Sequence, residues 1–284
     1  MNAWLFYLNS NDYYVNMLVS AYKDLQDTNT KYPVYCAITK NVNTDTRVIL
    51  STIGINLIEL NTELIDNCKF IKSQKYKESL DWYKKAFYKL AILATNFETA
   101  FDKIVYLDTD IQIFKNIDNI MEKPHMSAVI NRAPESTLEN YQLGRSNFCT
   151  GLFVWDYKNN PGLGDKLLRS LNSLDECITW HDQNILNFWY KNWANEAELH
   201  LSPIYGLMNH ADIYNKLEDK SDLRIIHFVS RDRNSWPFLK QTNIPKKWCL
   251  LKEWVTHISN NCKYFINNFG VRLLPLYPEN IKVL

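Results

Sequence analysis

Glycine is scarce, seven among 284 residues, and no Gly-x-Gly-x-x-Gly follows the first strand-like run. That argues against a dinucleotide clamp of the dehydrogenase kind, whose glycines let backbone amides close on a pyrophosphate. The six cysteines (Cys36, Cys68, Cys149, Cys177, Cys249 and Cys262) include no Cys-x-x-Cys pair, so neither a zinc knuckle nor a paired redox site is indicated, and free thiols in a reducing compartment are expected. No apolar run approaches the roughly 18 residues of a membrane-spanning helix. The run Ala3–Leu8 is too short for a secretory signal and lacks a basic start. Charge of one sign is also missing: 32 basic residues stand against 31 acidic ones, so no broad field attracts nucleic acid or anionic lipid. These absences lead us to expect a soluble, cytoplasmic protein with no membrane span and no nucleic-acid partner, which must grip any phosphate locally.

What the chain does have is apolar bulk. Hydrophobic residues make up 46% of it, enough at this length to bury a sizeable core within one α/β domain. Trp4–Leu8 reads as a strand that ends in the polar turn Asn9-Ser10-Asn11-Asp12. Asp12 caps a helix whose Val15, Leu18, Val19 and Tyr22 recur at helical spacing. After the Tyr32-Pro33 break come a strand at Val34–Ile38, a helix opened by Thr44 and closed near Gly54, and a strand at Ile55–Leu60. This βαβαβ order is the nucleotide-binding half of a Rossmann-like sheet. Residues 61–80 show no period and read as an exposed loop. A helix is expected from Leu80 to Thr95, with Lys85 and Lys89 one turn apart on it; paired lysines are ordinarily a solvated face, and here they lead toward the next strand.

That strand begins the stretch around which the rest is arranged, Phe101–Asp118. Ile104–Leu107 is wholly apolar, as a strand buried on both faces should be, and it ends in Asp108-Thr109-Asp110. Side chains of an extended segment repeat every second residue, so both carboxylates can leave the strand end on one side. Ligands of such sheets bind outside the carboxyl ends of the strands, which suits the pair to a divalent metal and its phosphate. Aspartate is equally common as a turn or capping residue at such a place.

Beyond it, Ile111–Phe114, Ser127–Ile130, Gly151–Asp156 and Arg224–Phe228 read as further strands, and residues 163–174 and 183–193 as helices. Asp182 stands where the second of these helices begins, an ordinary N-cap position. His227 lies in an apolar strand, where a satisfied core histidine is the ordinary case. Ser230–Pro237 is a dense polar and basic loop, and an aromatic, helical tail runs from Lys246 to Phe269.

Taken in order, the motifs Ala3–Tyr14 (AWLFYLNSNDYY), Tyr88-Lys89-Leu90, Ile104–Asp110 (IVYLDTD), Phe148–Val154 (FCTGLFV), Asp182-Gln183 with Leu186-Asn187, and Arg224–Trp236 (RIIHFVSRDRNSW) resemble glycosyltransferase family 8, and within it the glycogenin-like members. The resemblance runs from the first strand to about Trp236. It implies a single GT-A domain, with residues 1–107 as the nucleotide-binding half, 108–240 as the half for metal, sugar and acceptor, and 241–284 as a helical tail. It implies a metal-dependent, retaining hexosyltransferase that moves glucose from a UDP-sugar to a protein, a glycan or itself, with a homodimer as one assembly. Asp108, Asp110 and His227 resemble the family's metal ligands; manganese is expected on the nitrogen ligand, with magnesium as the alternative. Leu8, Ser10, Asn11, Tyr14 and Thr109 match positions that hold uracil and ribose. Lys89, Asp182 and Gln183 match catalytic positions near the transferred sugar and the phosphates. Cys149 and Thr150 stand where the glycogenin pattern has Asn-Ser, with Asn147 as a substitute for the lost amide. Ser230 stands for the expected glycine, and Arg233 for the phosphate-contacting lysine. Tyr205 and Tyr214 fall where a self-acceptor tyrosine would lie. Two readings compete: a nucleotide-sugar-binding protein of weak activity, favoured by Cys149 and Ser230, and a haloacid-dehalogenase-like phosphatase, disfavoured because a whole βαβαβ half precedes Asp108.

Overall fold

The structure is a computed structural model, in which residues 1–9, 13–68, 85–130, 148–173, 182–206 and 222–227 are described. The elements that position the site are β1 (Asn2–Leu8), α1 (Tyr13–Asp27), β2 (Val34–Ile38), α2 (Thr44–Thr52), β3 (Asn56–Glu59), α3 (Glu63–Asp66), α4 (Thr95–Glu98), β4 (Lys103–Leu107), β5 (Ile111–Ile113), β6 (Ala128–Ile130), β7 (Phe148–Asp156), α5 (Leu163–Ser170), α6 (Asp182–Trp189), β8 (His200–Leu201) and β9 (Ile225–His227). Seven strands form one mixed sheet in the order β3-β2-β1-β4-β7-β6-β8, and β5 pairs with β9 in a separate antiparallel ribbon. β1, β2, β3 and β4 run parallel, as the βαβαβ pattern predicts, and β7 reverses direction beside β4.

The period of two in the apolar strands sorts their side chains onto two cores. Trp4, Phe6, Leu8, Val105 and Leu107 face α1 and α2. Ala3, Leu5, Ile104 and Tyr106 face the opposite layer, with Phe87, Leu90, Leu168, Ile185 and Leu186. Each large side chain buried in this way contributes about 1.5–3 kcal/mol relative to exposure, which is why the central strands carry apolar residues on both faces. Helix α2 ends as its sequence predicts: Gly54 takes a φ of 100°, and Ile55 N–H donates to Leu50 O at 3.0 Å, a left-handed close that glycine adopts without a Cβ penalty.

Helix α2 opens at Thr44 as expected, capped by Asn43, whose side chain accepts from Thr46 N–H at 2.8 Å. Several other boundaries differ from the sequence reading. Within the supposed loop 61–80, Glu63–Asp66 makes a helical turn that buries Ile65; residues 69–80 lie outside the described part. The helix expected to run to Thr95 becomes a 3-10 helix over Lys89–Leu93 and breaks at Ala94, which is extended. Here α5 comes in at Gly164, where a Cβ would lie 1.6 Å from Leu93 O. The expected helix 163–174 is α-helical only to Ser170, and 183–193 only to Trp189. Trp193 sits in the next turn and donates from Nε1 to Met126 O at 2.9 Å. β8 has two residues, too few for a periodic signal. Among the described residues no helix is long and apolar enough to cross a membrane, and Cys36, Cys68 and Cys149 are buried and form no disulfide. The expected tail lies outside the described residues.

Candidate active site

The site forms where β4 stops. The antiparallel register pairs Leu107 with Leu152, and Asp108 N–H donates to Gly151 O at 2.8 Å. This sets Asp108 beside Gly151 of β7. The chain then turns into β5, whose Ile111 stands directly opposite His227 of β9. Pairing of two short, distant strands thus brings the histidine to the aspartates: His227 Nε2 is 3.1 Å from Asp110 Oδ1 and 3.6 Å from Asp108 Oδ2. Asp108, Asp110 and His227 offer ligand atoms all within 4.8 Å of one another. Two partly exposed carboxylates and a buried imidazole are a donor set suited to a hard or borderline divalent ion. Burial alone would pull the His227 ring below its usual range, but the Cys149 sulfur and the Asp110 carboxylate outweigh it and push it well above.

A second polar cluster adjoins the first. Lys89 is 6% exposed, contrary to the solvated-face reading. Its ammonium lies 2.6 Å from Asp182 Oδ2 and 3.3 Å from Asp108 Oδ1, and donates to Thr150 O at 3.2 Å. Desolvation by itself would lower its pKa, and the charges of Asp108 and Asp182 raise it above the ordinary value. Asp182 and Gln183 open α6, and both are tied to Thr150: its hydroxyl donates to Asp182 Oδ2 at 2.8 Å, and its N–H to Gln183 Oε1 at 3.2 Å. One turn on, Asn187 clasps Phe148, accepting from its N–H at 2.9 Å and donating to its O at 3.0 Å. The helix start is thereby locked to β7, with Asp182 as the first residue of α6.

Tyr106 was not singled out by the sequence reading. Its hydroxyl donates to Asp108 Oδ1 at 2.7 Å, and the Lys89 ammonium lies over its ring, 4.8 Å from the centroid. The signal was present, since Tyr106 stands two positions before Asp108, which the period of a strand puts on the same face. Leu8 is buried at the end of β1, beside β4; Thr109 is buried and Tyr14 half-buried. Tyr205 is buried, and its hydroxyl accepts from Asn119 Nδ2 at 2.6 Å. Ser10, Asn11, Asn147, Tyr214, Ser230 and Arg233 lie outside the described residues.

Residues 4–234 match the family model described as Glycosyl transferase family 8. Among curated relatives, Galactinol synthase 7 of Arabidopsis thaliana is 24% identical over 286 residues, covering 89% of this chain and 80% of its own length. Galactinol synthase 1 of Solanum lycopersicum is 27% identical over 271 residues, with the same coverage of 89% and 80%. Among solved structures, the galactosyltransferase LgtC, in complex with donor and acceptor sugar analogs, matches with a TM-score of 0.58 and 16% identity over 87% of this chain and 99% of LgtC. The glycosyltransferase GlyE of Streptococcus pneumoniae TIGR4 matches with a TM-score of 0.55 and 17% identity, covering 100% of this chain and 67% of GlyE. The seven-stranded mixed sheet with helices on both faces is accordingly a GT-A fold.

Proposed function

Because the chain belongs to glycosyltransferase family 8, we propose that it transfers a hexose from a UDP-sugar to an acceptor hydroxyl, with a divalent metal bound and with retention of anomeric configuration. The observation that carries this reading is the convergence of Asp108, Asp110 and His227, residues brought together only by the folded chain. Manganese suits them better than magnesium because one ligand is nitrogen. When bound, the ion supplies positive charge opposite the diphosphate leaving group.

The surrounding residues then have definable work. Tyr106 and the backbone of Gly151 hold Asp108 in place. Lys89 stands between Asp108 and Asp182, where an ammonium favours the charge that develops on a departing phosphate. Asp182, held by Lys89 and Thr150, is a fixed acceptor for sugar hydroxyls, and Gln183 beside it is a second positioning group. This supports sugar positioning rather than nucleophilic attack for Asp182, since its Oδ2 is already engaged by an ammonium and a hydroxyl. Leu8, Ser10, Asn11, Tyr14 and Thr109 are the proposed nucleoside contacts, and Ser230 and Arg233 the proposed phosphate contacts.

The sequence reading expects glucose as the transferred hexose. The names of the similar proteins, galactinol synthases and a galactosyltransferase, favour galactose, and we infer galactose. Tyr205 is a poor self-acceptor because the residue is buried and its hydroxyl is bonded.

The test is UDP release from UDP-galactose and UDP-glucose with manganese, for wild type and Asp110→Asn. The reading expects release that needs manganese, is faster with UDP-galactose and is lost in Asp110→Asn. Equal release with and without the metal would overturn it. Binding of UDP with manganese but no turnover would instead favour the weakly active binding protein to which Cys149 points.

A further inference from the structure

We infer that Cys149 is a positioning residue for His227: its sulfur accepts the Nδ1 proton and so fixes the ring with the Nε2 lone pair toward Asp108 and Asp110. The inference rests on the metal-site reading and goes beyond it, because the resemblance assigns this position to sugar contact.

Two nitrogens converge on one sulfur. Cys149 is 5% exposed, and its Sγ lies 3.5 Å from His227 Nδ1. Gly151 N–H donates to the same Sγ at 3.3 Å. A backbone amide only donates, so the sulfur presents a lone pair in this corner. On the other edge of the ring, Nε2 faces Asp110 Oδ1 at 3.1 Å and Asp108 Oδ2 at 3.6 Å. A cation shared with those carboxylates requires the Nε2 lone pair, which leaves Nδ1 as the bearer of the ring proton. That proton points at Cys149. Metal-ligating histidines are characteristically oriented by such a bond from the second nitrogen.

The ring also has little freedom to turn away. A Cβ on Gly151 would lie 2.1 Å from His227 Cε1, so the imidazole packs directly on bare backbone. The hollow behind it has apolar walls that include Ile111, Val129, Leu152 and Ile225. In such surroundings a polar hydrogen without an acceptor is costly, which gives the sulfur contact its directing force. Cys149 touches neither the donor sugar nor the ion in this role; it acts through the histidine.

The experiment uses the full chain and Mn2+ alone as probe. Free Mn2+ is followed by electron paramagnetic resonance in titrations of wild type, Cys149→Ala, Cys149→Ser and Asp110→Asn, with thermal unfolding of each as the check on folding. Loss of the orienting acceptor is expected to weaken Mn2+ binding about 10- to 100-fold in Cys149→Ala, while Cys149→Ser, which keeps an acceptor of similar size, returns to within a few-fold of wild type. The nitrogen-15 spectrum of the histidines with Mg2+ in place of Mn2+ supplies a second readout, with His227 carrying its proton on Nδ1. Wild-type affinity in a folded Cys149→Ala, or a ring proton on Nε2, overturns the positioning role alone. Equal Mn2+ binding by wild type and Asp110→Asn overturns the metal site itself, and the positioning role with it.

Discussion

Lys89 and Asp182 form a buried ion pair, 2.6 Å from Nζ to Oδ2, with only 8% and 9% of their side chains exposed. The pair joins the 3-10 segment that precedes β4 to the first residue of α6. The cost of stripping water from each charge is offset by its partner and by the bonds Thr150 makes to both, with Asp108 a second carboxylate against the Lys89 ammonium.

Breaking the pair from one side therefore has a large effect. Lys89→Met or Asp182→Leu is expected to cost about 3–5 kcal/mol, the second nearer the lower end because Asp108 still faces the ammonium. The double variant Lys89→Met/Asp182→Leu should recover most of that loss and still release no UDP. Urea unfolding of the four proteins measures the coupling, and strictly additive losses would contradict a mutually compensated pair.

Tyr106→Phe isolates the hydroxyl that holds Asp108. The ring stays in the core, and what disappears is a 2.7 Å bond to a carboxylate, worth about 1.5–3 kcal/mol. Weaker Mn2+ binding is expected together with a lower unfolding free energy. Unchanged Mn2+ affinity would show that Asp108 holds its position without Tyr106.

The parts of this architecture that were legible in the sequence are those governed by local periodicity. Trp4–Leu8 and Val34–Ile38 announce themselves as strands, Ile104–Leu107 as one buried on both faces, and Asp108 and Asp110 as a pair on one side of a strand end. What escaped depends on partners distant in the chain. Lys89 on a helix looks like a solvated lysine until Asp182 and Thr150 are brought against it. The continuous helix expected through Leu80–Thr95 fails at Lys89, where close approach of Gly164 to Leu93 O belongs to tertiary packing and not to propensity. His227 is a core histidine by its own strand, and only its register opposite Ile111 makes it a neighbour of Asp110. The motif resemblance supplied that juxtaposition before the fold did, while the sulfur contact of Cys149 depends on the fold.

Two glycines separate site from scaffold. In Gly164→Ala the new methyl meets the Leu93 backbone carbonyl, which cannot swing aside, so an overpacking loss at or above the usual 1–3 kcal/mol is expected. In Gly151→Ala it meets the His227 ring, so Mn2+ binding is expected to fall even where the fold survives. Thermal unfolding and Mn2+ titration of both variants check this. A Gly151→Ala protein that binds Mn2+ as wild type does would show that the imidazole has room the structure denies it.

His125 makes the stability of the protein depend on pH at a place remote from the metal ligands. Asp156 N–H donates to its Nδ1 at 3.2 Å, so that nitrogen carries no proton, and Nε2 lies 2.8 Å from Tyr190 Oη. A second ring proton would point at an amide hydrogen. Burial accordingly lowers the pKa to about 4, against the opposing pull of Asp156, while the unfolded chain titrates at about 6.5. Between these values the unfolded state binds more protons than the folded one, so stability rises with pH across the window. The contribution is complete above about pH 6.5 and lost as pH falls through the folded pKa, a difference of about 3 kcal/mol. His125→Gln removes the titration but also disturbs the packing, so it should start less stable at pH 7 and lose less on acidification. Urea unfolding of both proteins at intervals from pH 7 to pH 4 is expected to show the two curves converging; parallel curves would mean that His125 takes up its proton in the folded state as easily as in the unfolded one.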